Sequence, residues 1–167
     1  DIKTVVVSCG TCYDQLEKYR FEEIFPGCRM IDIHEFLLEK GIKLDGVTGQ
    51  QYLYHDPCHS PIKTTNATAL TGQLMGQEVK RPDIATQVKF RKQEEIEKNK
   101  AALPQGEPVK MLTSCPACLQ GLSRYSDDNA MPADYIVVEM AKHILGEQWQ
   151  NDFVKKATEG GIEKVLL

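Results

Sequence analysis

Four of the six cysteines in this 167-residue chain stand in two Cys-x-x-Cys pairs that share a longer pattern. The segments "SCGTCYDQLEKY" at residues 8–19 and "SCPACLQGLSRY" at residues 114–125 both have the form Ser-Cys-x-x-Cys-x-x-x-Leu-x-x-Tyr. A Cys-x-x-Cys pair is typical of a redox dithiol, of half a zinc site, or of two ligands to an iron–sulfur cluster. Two such pairs together with a single cysteine, Cys58, favour a shared metal-binding role over separate dithiols or buried structural cysteines.

The cysteines that could carry this chemistry each follow a predicted strand. The β-branched run Thr4–Val7 ends just before Cys9, the segment "QYLYHDPC" ends at Cys58, and the predicted strand Val109–Thr113 ends just before Cys115. The carboxyl ends of parallel strands meet at one edge of an α/β sheet, where ligands gather. Helix N-termini at that edge present unpaired N–H groups, which lower the pKa of a thiol. We therefore predict that five metal-binding thiols share this edge: Cys9, Cys12, Cys58, Cys115 and Cys118.

Two stretches of the chain repeat the order strand, helix, strand, helix. The first unit is predicted to contain a strand at Thr4–Val7, a helix from Tyr13, a strand at Met30–Ile33 and a helix in "HEFLLEKG" that ends at Gly41. The second is predicted to contain a strand at Val109–Thr113, a helix at Pro116–Tyr125, a strand at Tyr135–Val138 and a helix in "EMAKHILG" that ends at Gly146. A long polar helix from Pro82 to Lys100 is predicted between them, and a last strand in "GGIEKVLL". This alternation predicts an α/β fold, with a mostly parallel sheet flanked by helices and two pseudo-repeated units.

The segment "YHDPCH" offers a second candidate metal site, of the zinc-hydrolase type. His55 and His59 are four residues apart, with Asp56 between them, and two histidines at that spacing share one face of a helix. Pro57 opposes this interpretation, because it disfavours helical geometry at Asp56. Asp56 is instead expected to hold the loop around Cys58 by hydrogen bonding.

His34 and Cys28 are given structural roles. His34 follows a predicted strand and precedes a helix, where it could donate a hydrogen bond to a sulfur, but capping the helix is the favoured role. Cys28 lies in the turn "FPGC" with no partner at a ligand spacing, so we expect it to behave as a small hydrophobic residue.

The overall composition excludes several function classes. The 20 basic residues against 24 acidic ones give a formal net charge of −4, which argues against nucleic-acid binding. No apolar run approaches the roughly 20 residues that span a bilayer, and the first residues lack the layout of a secretory signal. We therefore expect a cytoplasmic protein, which reaches the inner face of the membrane only through partners. The chain begins at Asp1 rather than Met and is expected to be a fragment of a longer protein.

The motifs "SCGTCYDQL", "YHDPCH" and "SCPACLQGL" resemble the cysteine-rich CCG domain family. That family includes the B subunit of heterodisulfide reductase and the iron–sulfur subunits of glycolate and lactate dehydrogenases. The stretch from "DYIVVEMAKHILGEQW" to "GGIEKVLL" resembles the C-terminal end of long bacterial proteins that fuse a flavin-linked oxidase to iron–sulfur modules. The likeness covers most of the chain and implies one CCG-type domain over residues 1–167, with the end of a first repeat at 1–50 and a second repeat at 51–167.

The resemblance implies a cofactor, a set of ligands and a function. Cys58, Cys115 and Cys118 match ligands of the second family motif, and Cys9 and Cys12 match the closing pair of the preceding motif. The cofactor would be a four-iron iron–sulfur cluster, and the domain would relay electrons. They would come from a flavin, FAD, that oxidises a 2-hydroxy acid such as lactate or glycolate and is bound on a partner domain or subunit, alongside other iron–sulfur modules.

One departure from the family pattern leaves other functions open. The family places a Cys-Cys-Gly near "QEVKRPDIATQ", but here Lys80 is followed directly by Arg81 and Pro82, and no Cys-Cys-Gly occurs. Three family ligands therefore remain for the second site, too few for a cubane held wholly by protein. The alternatives are a structural zinc module without catalysis, built from both cysteine pairs, and a disulfide-reducing subunit like heterodisulfide reductase.

Overall fold

The computed structural model describes residues 2–63, 65–81, 97–124, 126 and 130–161. The strands are β1 (Thr4–Val7), β2 (Arg29–Asp32), β3 (Gln51–His55), β4 (Val109–Thr113) and β5 (Ala133–Tyr135). The helices are α1 (Gly10–Lys18), α2 (Phe21–Ile24), α3 (Ile33–Glu39), α4 (Ala67–Met75), α5 (Pro116–Ser123), α6 (Ile136–Leu145) and α7 (Trp149–Gly160). Within these ranges, none of the helices combines the length and the apolar character that crossing a membrane requires.

The described strands form two small parallel sheets. In the first sheet β1 pairs with β2, with Val7 opposite Asp32. In the second sheet β4 lies between β3 and β5, with His55 opposite Thr113 and Thr113 opposite Tyr135. The predicted α/β class and the parallel pairing are confirmed, but the strands divide between two sheets instead of sharing one. That the two units arose as a repeat stays a prediction.

One predicted strand is wrong, because the segment Tyr135–Val138 lies mostly in a helix. The strand is Ala133–Tyr135, and α6 begins at Ile136. Ile136 and Met140 are four residues apart and both are buried, so packing of one helix face outweighs the strand preference of the β-branched run.

Three helices, α2, α4 and α7, were not predicted, and two predicted elements fall largely outside the described residues. Helix α4 is capped by Asn66, whose side chain accepts a hydrogen bond from the Ala69 N–H at 3.0 Å, and it ends at Gly76 with φ 64°. The exposed helix α7 was also missed. Of the predicted helix Pro82–Lys100 only residues 97–100 are described, and they are helical. Of the last predicted strand, in residues 160–167, only Gly160 and Gly161 are described, and Gly160 is the last residue of α7.

The three-stranded sheet is covered on both faces. On one face α4 and α6 pack over β3 and β4, and the fully buried members of this cluster include Tyr54, Leu70, Leu74, Leu112 and Ile136. On the other face Leu53, Met111 and Leu122 form a smaller cluster. Helix α3 of the first sheet joins the larger cluster through Leu37 and Leu38, so this contact holds the two sheets together.

A buried ionic network lies under α6. The carboxylate of Glu139 is only 3 % exposed, and it accepts hydrogen bonds from Lys110 Nζ at 2.8 and 2.9 Å and from the Tyr52 hydroxyl at 2.8 Å. Lys142 adds an ion pair with Glu139 at 3.6 Å and another with Asp134. Such networks stabilise a fold only while every charge keeps its partner.

Candidate functional site

The first cysteine pair lies at the start of α1. Cys9 is the N-cap residue with extended backbone (φ −141°, ψ 123°), and Cys12 lies in the first turn. Cys9 makes no side-chain capping hydrogen bond, but the unpaired N–H groups of the first turn lie next to it in the chain. The N–H of Cys12 makes the largest contribution and holds the pKa of Cys9 below its usual value, against the opposing effect of burial. The nearby Cys9 sulfur in turn raises the pKa of the exposed Cys12.

The second pair has the same local geometry but a different exposure. Cys115 is the N-cap of α5 (φ −133°, ψ 121°), Pro116 occupies the first helical position, and Cys118 lies in the first turn. The Cys115 N–H donates to the Thr113 hydroxyl at 3.3 Å. Cys115 is 8 % exposed, whereas Cys9 is half-buried and Cys12 lies in solvent. The two pairs therefore share the same backbone conformation at the start of a helix, but their N-cap cysteines differ in exposure to solvent.

Cys58 lies in the loop that follows β3, and this loop is fastened to α1. The His59 carbonyl oxygen approaches Gly10 so closely that a Cβ built there would lie 1.8 Å from it. Asp14 on α1 bonds His59 Nδ1 at 2.8 Å and accepts from Lys63 Nζ at 2.6 Å. The hydrogen bond from Lys63, and then that from His59, hold the pKa of the Asp14 carboxyl below its usual value. We call these three side chains, Asp14, His59 and Lys63, the clasp; it holds the loop of the exposed Cys58 against α1.

A hydrogen bond from Tyr135 links the second sheet to the residue that precedes the first cysteine pair. Its hydroxyl, at the end of β5, donates to the carbonyl oxygen of Ser8 at 2.6 Å, one residue before Cys9. Burial is the main reason why the pKa of Tyr135 is raised, and the charges of Asp32, Cys9 and Cys115 raise it further. We call the strand ends and helix starts that carry Cys9, Cys12, Cys58, Cys115 and Cys118 the cysteine rim.

A buried Asp–His pair lies at the end of β2. Asp32 Oδ1 caps α3, accepting from the N–H groups of His34 at 2.8 Å and Glu35 at 3.4 Å, and it also bonds His34 Nδ1 at 2.8 Å. The predicted capping role of His34 is therefore wrong, because Asp32 fills it. His34 stacks edge-on against Tyr135 with ring centroids 5.4 Å apart. Its Nε2 atom is buried and has no hydrogen-bond partner among the described residues.

Sequence reasoning missed Asp32 and Tyr135, although one of them carried a usable signal. Aspartate between a strand and a helix is among the preferred N-cap residues, so Asp32 could have been recognised as the cap. Tyr135 could not, because its partner Ser8 is 127 residues away in the chain. A contact of that kind is created only by the tertiary fold.

The remaining candidates, His55, Asp56 and His59, differ in burial and in their contacts. His55 is buried at the end of β3, Asp56 bonds the Tyr54 hydroxyl at 3.4 Å and pairs with Arg81 at 3.3 Å, and His59 belongs to the clasp. Cys28 is buried, as predicted for a small hydrophobic residue. Across the described ranges, no three cysteine, histidine or acidic side chains are grouped so that they could hold a metal ion.

The comparisons with known proteins concern the C-terminal part of the chain. Residues 123–167 match the model of a family described as a domain of unknown function, DUF3400. The matched segment covers less than half of the chain, contains α6 and α7, and excludes all five cysteines of the rim. No curated protein matches the chain, and no solved structure does.

Proposed function

We propose that this chain is the iron–sulfur-binding, electron-transfer domain of an oxidoreductase, with the cluster at the cysteine rim. The observation that supports this proposal is that loops carrying cysteines, which follow strands of two separate sheets, lie in contact with each other. Two contacts link these loops: the Tyr135 hydroxyl bonds Ser8, and the His59 carbonyl lies against Gly10. Structural cysteines that serve only as small core residues need no such convergence.

The ligand atoms at the cysteine rim are of the type that binds an iron–sulfur cluster. Cysteine thiolates are the ligands that such clusters use, and Cys58, Cys115 and Cys118 supply three of them. Cys115 and Cys118 lie at the N-terminus of α5, where unpaired N–H groups favour thiolates and an anionic cluster. Because no three ligands are grouped in the described residues, the exposed loop of Cys58 has to move to complete a site with the other two.

Each residue of the cysteine rim would have a different role in binding a cluster. The bound group would supply one-electron transfer. Cys115 is buried against the second sheet and would keep one side of the site dry, whereas Cys58 would close it from the loop. The half-buried Tyr135, whose hydroxyl donates to the Ser8 carbonyl, would limit the distance between this site and the first pair. By the family resemblance, the electrons come from a flavin that oxidises a 2-hydroxy acid on a partner domain.

Anaerobic reconstitution with iron and sulfide tests the proposal. We expect several irons per chain and a broad visible absorption, and we expect Cys115→Ser to lose both. Cys28→Ala is the matched control, because Cys28 precedes β2 and so lies at the opposite, amino end of the strands; it should bind as much iron as the wild type. Stoichiometric zinc without colour would replace the proposal with a structural zinc module. Failure to retain any metal would refute both.

A further inference from the structure

The loop of Cys58 and the start of α5 leave neighbouring strands at the same end of the second sheet. In the parallel pair of β3 and β4, the last residues, His55 and Thr113, lie opposite each other. Cys58 comes three residues after the end of β3, and Cys115 comes two residues after the end of β4. The two segments therefore start side by side, and a side chain that contacts both can fix their relative placement.

The hydroxyl group of Tyr54 contacts both segments. Tyr54 is the second-last residue of β3 and is fully buried. Its hydroxyl oxygen lies 3.0 Å from Oγ of Ser114, the residue directly before Cys115. The same hydroxyl donates at 3.4 Å to Oδ1 of Asp56, which precedes Cys58 by two residues. One buried hydroxyl group thus joins the base of the Cys58 loop to the residue that precedes the N-cap of α5.

The direction of these two hydrogen bonds follows from the protons that are present. The Tyr54 hydroxyl has one proton and donates it to the carboxylate of Asp56, which only accepts. The proton in the other bond therefore comes from the hydroxyl of Ser114, which is also fully buried. Phenylalanine at residue 54 would keep the ring in the core, but it would remove both the donor to Asp56 and the acceptor for Ser114.

Each segment also has an anchor of its own. Asp56 pairs with Arg81 at 3.3 Å, and the Cys115 N–H donates to the Thr113 hydroxyl at 3.3 Å. These contacts restrain each segment separately. The Tyr54 hydroxyl differs from them because it restrains one segment relative to the other.

We propose that Tyr54 is a positioning residue for the cluster, and that its hydroxyl sets the placement of Cys58 relative to Cys115 and Cys118. This role rests on the iron–sulfur function proposed above. Ligands of a metal site have to be held within about 0.5 Å of the productive geometry. The exposed loop of Cys58 has to move when the site forms, so its base must stay in place while the rest of it closes. The hydrogen bond from Tyr54 to Asp56 holds that base.

Tyr52 provides a matched control on the same strand. It lies two residues before Tyr54, on the same face of the sheet, and it is only 1 % exposed. Its hydroxyl donates to Glu139 Oε1 on α6 at 2.8 Å. Tyr52→Phe therefore removes the same atom from an equally buried tyrosine, but from a contact with α6 instead of a cysteine-bearing segment. Urea unfolding of the metal-free variants measures how much each hydroxyl stabilises the fold itself.

The experiment loads each variant with iron and sulfide under anaerobic conditions. It measures the irons per chain, the EPR spectrum of the reduced protein, and the concentration of an iron chelator that removes half of the iron. For Tyr54→Phe we expect this concentration to be about two- to tenfold lower than for the wild type, the range that corresponds to the loss of one or two hydrogen bonds. Its EPR spectrum should also change. Tyr52→Phe should match the wild type in both measurements.

A second variant and a metal-free measurement keep the test independent of any one substitution. Ser114→Ala removes one of the two hydrogen bonds and should shift the chelator concentration in the same direction by less, whether or not Tyr54→Phe folds. In metal-free protein, hydrogen exchange in residues 56–60 and 114–118 should become faster in Tyr54→Phe and stay unchanged in Tyr52→Phe.

Equal chelator sensitivity of Tyr54→Phe and Tyr52→Phe would overturn the positioning role, and so would equal hydrogen exchange in the two segments. If the wild type loads iron and Tyr54→Phe retains it equally well, the positioning role alone fails. If the wild type binds no iron, the proposed function is refuted, and the role of Tyr54 toward a cluster falls with it.

Discussion

Replacing Gly10 by alanine should separate the loop of Cys58 from α1. A Cβ at residue 10 would lie 1.8 Å from the His59 carbonyl oxygen, 2.8 Å from its carbonyl carbon and 3.1 Å from Pro61 N. These are backbone atoms, so no side chain can swing away to make room. The loop itself has to retreat by more than about 1 Å before ordinary van der Waals contact is restored.

The size of the effect follows from two opposing contributions. Overpacking of this kind typically costs about 1–3 kcal/mol. Alanine has a better helix propensity than glycine by at most about 1 kcal/mol, and less than that at the first helical residue. We therefore expect Gly10→Ala to lower the free energy of unfolding by about 1–2 kcal/mol, since the clash outweighs the gain.

Urea unfolding followed by circular dichroism measures this free energy, and Gly121→Ala is the matched control. Gly121 lies inside α5, and a Cβ there meets nothing within 4 Å. Alanine at 121 should therefore stabilise the fold by about 0.5–1 kcal/mol. Hydrogen exchange should also become faster in residues 58–63 of Gly10→Ala and stay unchanged there in Gly121→Ala.

An unfolding midpoint for Gly10→Ala equal to that of the wild type would refute the reasoning. It would mean that the Cys58 loop does not lie against α1 in solution. The argument for a common rim would then lose one of its two supporting contacts.

Three further predictions concern the polar groups of Glu139 and Tyr135. Glu139→Ala should cost about 3 kcal/mol in urea unfolding, because it leaves the half-buried ammonium group of Lys110 without its main partner. The exposed residue Glu23 is the control, and Glu23→Ala should cost under about 1 kcal/mol. Burial raises the pKa of Glu139, but the hydrogen bond from Lys110 outweighs it, so the pKa of Glu139 is lowered. The ionised carboxylate therefore stabilises the fold above its ordinary pKa of 4.5, and this stability is lost as the pH falls through the lowered pKa. Glu139→Gln should flatten the acid limb of a stability–pH profile, and an unchanged limb would contradict this assignment. Tyr135→Phe should cost about 1 kcal/mol and speed hydrogen exchange near Ser8, because it deletes the bond to that carbonyl; unchanged exchange there would argue against the bond.

The bounds of a strand could be predicted where the types of neighbouring residues in the sequence determine them. Thr4–Val7 and Val109–Thr113 are β-branched or apolar runs bounded by polar residues, and both strands have the predicted ends. The start of α6 could not, because Ile136, Val137 and Val138 favour a strand locally and become helical only when Ile136 and Met140 pack in the core. Division of the strands into two sheets likewise depends on pairing between distant segments.

The local positions of the two cysteine pairs were predictable only in part. Cys9 and Cys115 follow strands as predicted, and α5 begins at Pro116 as predicted. Helix α1, however, begins at Gly10 instead of Tyr13, so the N-cap position of Cys9 was not predicted. The different exposure of Cys9 and Cys115 depends on which elements cover each helix start, and no sequence pattern encodes that. The clasp joins α1 to a loop 45 residues further along, so it too appears only in three dimensions.

The division of the strands between two sheets makes the spacing of the cysteine rim depend on how the sheets pack. Cys9 and Cys12 are carried by the β1–β2 sheet, whereas Cys58, Cys115 and Cys118 follow strands of the other sheet. The packing of α3 on the larger core cluster and the hydrogen bond from Tyr135 to Ser8 are among the links that set this spacing. A substitution that loosened either link would therefore change the distance between the two groups of thiols without altering any cysteine.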